Sequence, residues 1–137
     1  DRRRLGQAVF GSPEQLAKLN GLVHPVIKGR AKAIAEGFAA THPDGIVVTE
    51  AAILIETGSY KEYDRLIVAV CTPEQQIERA IARGGLGRAE VLERIIRQMP
   101  IAEKAAYADF VIDTSGTEES TREQARAVYA QLRSVAR

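Results

Sequence analysis

Apolar positions fall into two rhythms along this chain. Up to residue 42 they recur at helical spacing, and from residue 46 short continuous β-branched runs alternate with further helical stripes. Asp1–Phe10 reads as a short helical piece that breaks at Gly11. Ser12-Pro13-Glu14-Gln15 has the form of a capping box, with Ser at the N-cap, Pro at the first helical position and Gln at the third. Leu16, Leu19, Leu22 and Val23 then share one stripe. Pro25 lacks an N–H and disfavours helical geometry at His24, so the pattern predicts a break there. A second helix should start at Pro25 with Ile27, Ala31, Ile34, Ala35 and Phe38 inward, ending in the Thr41-His42-Pro43-Asp44-Gly45 turn.

Ile46-Val47-Val48-Thr49-Glu50 reads as a strand buried on both faces, and the stretch continues through Glu56 to Gly58. A polar connection, Tyr60–Tyr63, leads to a second buried run, Leu66–Cys71. That run meets another capping box, Thr72-Pro73-Glu74-Gln75, and a helix to about Arg83. Strand, cap and helix in succession mark a parallel α/β unit. Gly84-Gly85-Leu86-Gly87 is a hinge-like break before a helix with Val91, Leu92, Ile95, Ile96 and Met99 on one side, stopped by Pro100. A short helix to Ala108, a third strand at Phe110–Asp113 and a turn at Thr114-Ser115-Gly116 follow. The final helix carries the stripe Ala125, Val128, Leu132 and Val135. Three strands and about six helices make an α/β protein whose parallel sheet is thin.

Composition narrows the function classes. Nineteen basic residues against eighteen acidic ones leave a net charge of +1, so global charge gives no reason to expect nucleic acid. The single Cys71 excludes an intramolecular disulfide or a multi-cysteine metal site and suits a reducing, cytoplasmic setting; at a strand end it reads as a small buried hydrophobe. No apolar run is long enough for a helical membrane span, and no apolar segment follows Asp1-Arg2-Arg3-Arg4 as in a signal peptide. The chain opens at Asp1 inside a helical pattern without an initiator Met, which reads as a fragment of something longer.

Several residues carry candidate chemistry. Arg79 and Arg83 share a helix face, and Arg88, Arg94, Arg97 and Lys104 follow beyond the glycine hinge. A mobile flap bearing guanidinium groups suits phosphoryl transfer, where charge spreads over equatorial oxygens. The same spacing also describes a solvated face with Glu90–Arg94 and Glu93–Arg97 pairs. Glu50 closes a run resembling a Walker-B strand, which would direct it toward Mg²⁺; a strand-end carboxylate also caps helices. Glu56 suits a substrate's hydroxyl or amine groups, or a nearby lysine. His24 before a proline is commonly structural. Neither G-x-x-x-x-G-K-[ST] nor G-x-G-x-x-G occurs, and the glycines at 84–87 follow a helix rather than a strand.

Taken in order, the segments resemble the dephospho-CoA kinase family from its middle to its C-terminus. Asp1-Arg2, Leu5-Gly6 and Val9-Phe10 are similar to its "DR…LG…VF", and His24-Pro25 to its "HP" pair. Leu54-Ile55-Glu56 before Gly58 is similar to "PLLFE", although Ala52 stands in place of the proline. Asp64-Arg65, Pro73-Glu74, Gln76, Arg79, Arg83, Arg94, Gln98, Lys104, Ala108-Asp109 and Val111-Ile112 continue the match. Thr114 departs from the asparagine usual after "VID".

The resemblance implies a P-loop kinase-like parallel sheet with flanking helices. It implies a helical CoA-substrate subdomain at 1–42, an incomplete α/β core at 43–83 and 108–137, and a helical lid at 84–107. The strand carrying the phosphate loop, and the catalytic base, would lie upstream, so this chain alone is expected to be inactive. Transfer of the ATP γ-phosphate to the ribose 3′-hydroxyl of dephospho-CoA, with Mg²⁺, is the implied reaction. Arg79 and Arg83 are then expected at phosphate, Arg88 and Arg94 in the lid, Glu56, His24 and Arg2 on the dephospho-CoA side, and Glu50 near the metal. Another P-loop small-molecule or nucleotide kinase, or a non-catalytic α/β binding module, are the alternatives.

Overall fold

The computed structural model describes residues 1–135, with side chains throughout except those of Arg2, Arg3, Gln7, Phe10 and Val135. The chain divides into two units, Asp1–Thr49 and Glu50–Arg137.

The N-terminal unit is helical. α1 (Arg2–Phe10) packs on α2 (Pro13–Thr41) and covers Val9. Ser12 caps α2 as its sequence predicts, its side chain accepting from Gln15 N at 3.4 Å. The expected break at Pro25 does not occur: α2 runs unbroken for 29 residues with Pro25 inside it. Proline removes one i→i−4 bond, and the turns on both sides carry the helix across that single gap. The predicted inward stripes are also only partly covered. Leu16, Leu19, Ala31 and Ala35 are half-buried, whereas Leu22, Val26, Ile27 and Ile34 are exposed. At the C-terminus, the His42 N–H caps Phe38 O, its ring stacks on Phe38 at 4.4 Å, and Gly45 N donates to His42 O.

The second unit holds the sheet. β1 (Ile67–Val70) and β2 (Phe110–Asp113) pair in parallel, Ile67 opposite Phe110 and Val70 opposite Asp113. They are joined by α3 (Pro73–Ala82), α4 (Arg88–Ile96) and α5 (Ile101–Ala105), and α6 (Glu118–Val135) packs on β2. Asp109 sets the register: its carboxylate accepts from Leu66 N at 2.8 Å while its own N–H donates to Leu66 O at 2.9 Å. Ile55, Leu66 and Val68 form the core, with Tyr60, Val70, Met99 and Ala108 against it. Val91 is the buried residue of α4; Leu92 and Ile96, expected inward, are exposed. On α6, Val128 is buried and Leu132 half-buried, while Val135 lies outside the described side chains.

Two strands, rather than three, are present among the described residues. Ile46–Glu50 is not a strand, and Val47 and Val48 are exposed rather than doubly buried. An apolar β-branched run becomes a strand only when a neighbouring backbone pairs with it, and no described segment does so. Residues 53–58 wind into a helical turn, with Thr57 N–H and Oγ1–H both donating to Ile53 O. Gly58, at φ 71°, ends that turn in the left-handed conformation that glycine adopts without a Cβ penalty. A 3-10 turn, Ser59–Glu62, completes the connection.

Candidate functional site

The parallel register brings the carboxyl ends of β1 and β2 side by side, where open α/β sheets gather ligands. Thr72 caps α3 directly after β1 through a complete capping box with Gln75. The first turns of α3 therefore stand beside the loop that leaves β2. Thr114 extends the ladder, its N–H donating to Val70 O at 2.8 Å and its hydroxyl donating to the same oxygen at 2.9 Å. Arg79 grips that residue as a fork: Nη1 donates to Thr114 Oγ1 at 2.9 Å and Nη2 to Thr114 O at 2.7 Å. Gln75 Nε2 donates to Ser115 O at 2.9 Å. Asp113 accepts at Oδ1 from the Ser115 hydroxyl and N–H, and these bonds, the hydroxyl's first, hold its carboxyl below the usual range. Gln124 reaches back from α6 and bonds both the N–H and the C=O of Asp113, satisfying the end of that strand.

Arg83 follows as the C-cap of α3. It is exposed, and its guanidinium has no hydrogen bond or ion pair with another described residue. Gly84 and Gly85 come next at φ 94° and 88°, conformations that demand glycine and make a sharp hinge. Beyond the hinge, Arg88 opens α4 and folds back onto α3. Its guanidinium meets both oxygens of Glu74, at 2.9 and 3.1 Å. The bond from Arg88, and then its charge, hold the Glu74 carboxyl below its ordinary value. Arg94 is exposed on the same helix and, like Arg97, is not without a partner.

Glu56 occupies a different place in the unit. Its Oε1 accepts from Lys104 Nζ at 2.8 Å and from Met99 N at 3.0 Å. Lys104 also donates to Ala52 O at 2.7 Å and to Gln98 Oε1 at 3.4 Å, so its three donors are all engaged. Burial raises the Glu56 pKa, but the Lys104 bond, the backbone N–H bonds and the Lys104 charge outweigh it and leave it lowered. The lysine partner considered for Glu56 from sequence is thus Lys104. Glu50 is exposed at the start of this unit, outside any helix or strand. His24 is half-buried within α2, and the Arg2 side chain lies outside the described residues.

Sequence spacing singled out the arginines but not their holders. In sequence Thr114 stands out only as a departure, Gln75 only as a cap residue, and Glu74 as a cap residue and part of the Pro73-Glu74 match. Nothing local to Glu74 signals a partner 14 residues away. Among the described residues, no three His, Cys, Asp or Glu gather where they could hold a metal ion. Nor is any described helix long and apolar enough to cross a membrane.

Comparison with known proteins places the chain in a family. The chain is 36% identical over 132 residues to a dephospho-CoA kinase of Syntrophus aciditrophicus, covering 96% of this chain and 56% of that protein. Among solved structures, it aligns with TT1252 from Thermus thermophilus at TM-score 0.72 and 31% identity, over 96% of this chain and 67% of that one. It aligns with a dephospho-CoA kinase from Campylobacter jejuni at TM-score 0.63 and 26% identity, over 100% and 67%. The chain spans between 56% and 65% of the length of the first curated relatives it matches. The family model for dephospho-CoA kinase covers residues 1–120, and the chain belongs to that family.

Proposed function

We propose that the protein carrying this chain transfers the γ-phosphate of ATP to the ribose 3′-hydroxyl of dephospho-CoA, the last step of coenzyme A biosynthesis. The hydroxyl oxygen bonds the γ-phosphorus as the bond from that phosphorus to the β–γ bridging oxygen breaks; ADP leaves and the hydroxyl proton passes to a base. The observation that carries the reading is the paired carboxyl rim, where Arg79 is locked in place and Arg83 stands uncommitted beside a glycine hinge. Arg83 and the remaining donors of Arg79 would meet phosphate oxygens, and the hinged α4 would bring Arg88 and Arg94 over them. Glu56, His24 and Arg2 are assigned to the dephospho-CoA side, Glu56 acting through the turn at 52–56 that it pins to Lys104.

Mg²⁺ bound with phosphates needs only one or two carboxylates, so the lack of an all-protein cage among the described residues does not conflict with it. Glu50, exposed, is the residue of this chain assigned to that ion, which would neutralise charge developing on the phosphates. The chain as given has no phosphate-loop pattern, so by itself it should not turn over ATP. A cytoplasmic setting follows from the proposed substrates. The test is an assay of the full-length protein with ATP, Mg²⁺ and dephospho-CoA, following ADP release and the 3′-phosphate by phosphorus NMR. Product phosphorylated at the ribose 3′ position supports the reading. Turnover only with nucleosides or other alcohols overturns it.

A further inference from the structure

Arginine carries five N–H donors in one rigid plane, and at Arg79 two of the five are already committed. Both go to a single residue, one to its side chain and one to its main chain, so the plane is held at two points. The holder is itself anchored: the Thr114 hydroxyl hydrogen goes to Val70 O, which leaves an oxygen lone pair aimed at Arg79. The Thr114 N–H binds the same carbonyl. Gln75, one turn before Arg79 on α3, draws in Ser115 O and keeps the loop from drifting off the helix. The result is an arginine 35 residues from its partner, fixed against the ends of both strands. Arg83, four residues on, has no such restraint.

We propose that Thr114 is a positioning residue: its hydroxyl and carbonyl orient the Arg79 guanidinium at the carboxyl rim so that the remaining three donors face the nucleotide. This rests on the kinase reading above. Preorganisation matters because a guanidinium fixed before binding loses no rotamer freedom when the ligand arrives. Valine at 114 has the shape of threonine but can neither accept from Nη1 nor donate to Val70. It leaves Arg79 swinging on the carbonyl bond alone. Serine retains both hydroxyl functions.

The test uses the full-length protein and the variants Thr114→Val, Thr114→Ser, Arg79→Lys and the double variant Thr114→Val/Arg79→Lys. Steady-state kinetics in ATP should show KM raised about five- to tenfold by Thr114→Val, the scale of one ordinary intramolecular hydrogen bond. The kcat should change less than the KM, and Thr114→Ser should return KM to within about twofold of the parent. In the Arg79→Lys background, Thr114→Val should add nothing, since the fork it orients is gone. Low-temperature nitrogen NMR should resolve the Arg79 Nη signals in the parent and Thr114→Ser, and merge them in Thr114→Val. An unchanged KM in Thr114→Val overturns the proposal, as does a full additive effect in the double variant. Failure of the parent to use ATP is a separate result, seen before any variant is made, and it removes the kinase reading together with this one.

Discussion

Lys104→Met tests whether the tripod at Lys104 holds the second unit together. Methionine keeps the aliphatic stem and removes the ammonium, so the measured change reports the polar contacts. The Lys104 and Glu56 side chains are 13% and 22% exposed, which places the pair between the surface and the buried limits. Exposed pairs contribute ~0.2–1 kcal/mol, whereas removing one member of a fully buried pair costs about 3–5 kcal/mol. The bonds to Ala52 O and Gln98 Oε1 are lost as well, so an intermediate value of roughly 1.5–3 kcal/mol is expected. For a unit of this size, that lowers Tm by roughly 6–20 °C. Urea unfolding of Lys104→Met, Glu56→Gln and the double variant, followed by circular dichroism, gives the coupling energy directly. Because the folded Glu56 pKa is lowered, its contribution is fully present above the unfolded carboxylate value. It is lost as pH falls through the lower, folded value. The stability gap between parent and Glu56→Gln should therefore narrow on acidification through the range just below pH 4–5. Single variants that each change stability by less than about 0.5 kcal/mol, with additive effects, would refute the assignment of the pair as a structural tie.

Three further perturbations follow from the same geometry. Thr72→Ala removes the capping hydroxyl of α3 and should destabilise the chain by about 0.5–2 kcal/mol, read by thermal melting. Gly45→Ala would press a Cβ into Phe38 Cε1 and place it 2.9 Å from His42 O, so about 1–3 kcal/mol of overpacking is expected. Adding Phe38→Ala should relieve much of that effect, and purely additive melts would count against it. Glu74→Gln should loosen the return of α4 onto α3, seen as faster amide exchange at Gly84–Gly87. High salt should bring the parent toward the variant, because the pair is exposed, and equal exchange in both at low salt would exclude a latch.

What the sequence made legible was decided within a few residues. The Ser12 and Thr72 caps, the glycines at 84 and 85 and the run from β1 into α3 depend on neighbours in the chain, and they stand where the pattern puts them. Ile46–Glu50 failed because strand formation requires a partner, which a local apolar run cannot report. Pro25 does not break α2 for a related reason: the turns on either side of it carry the helix across one missing bond. The side chains that organise the candidate site were out of reach of any window. Arg79 and Thr114 are 35 positions apart, and Glu56 and the Met99 N–H are 43 apart.

That separation changes how a run of cations is to be read. Arg79, Arg83, Arg88 and Lys104 look equivalent in sequence, as four positive charges near a hinge. In the folded chain Lys104 is held by a carboxylate and two carbonyl-type oxygens, Arg88 by a carboxylate, and Arg79 by a neutral hydroxyl and a carbonyl. A phosphate approaching Arg88 must displace Glu74, so its gain there is the difference between two ion pairs and should shrink with added salt. At Arg79 no anion has to be displaced, and the charge is undiminished though the plane is fixed. Arg83 starts in water, with full charge and full freedom. The ordering expected for initial phosphate capture is therefore Arg79 and Arg83 before Arg88. If α4 closes over the phosphates as proposed, substitution of Arg88 should act on that closure more than on the first encounter.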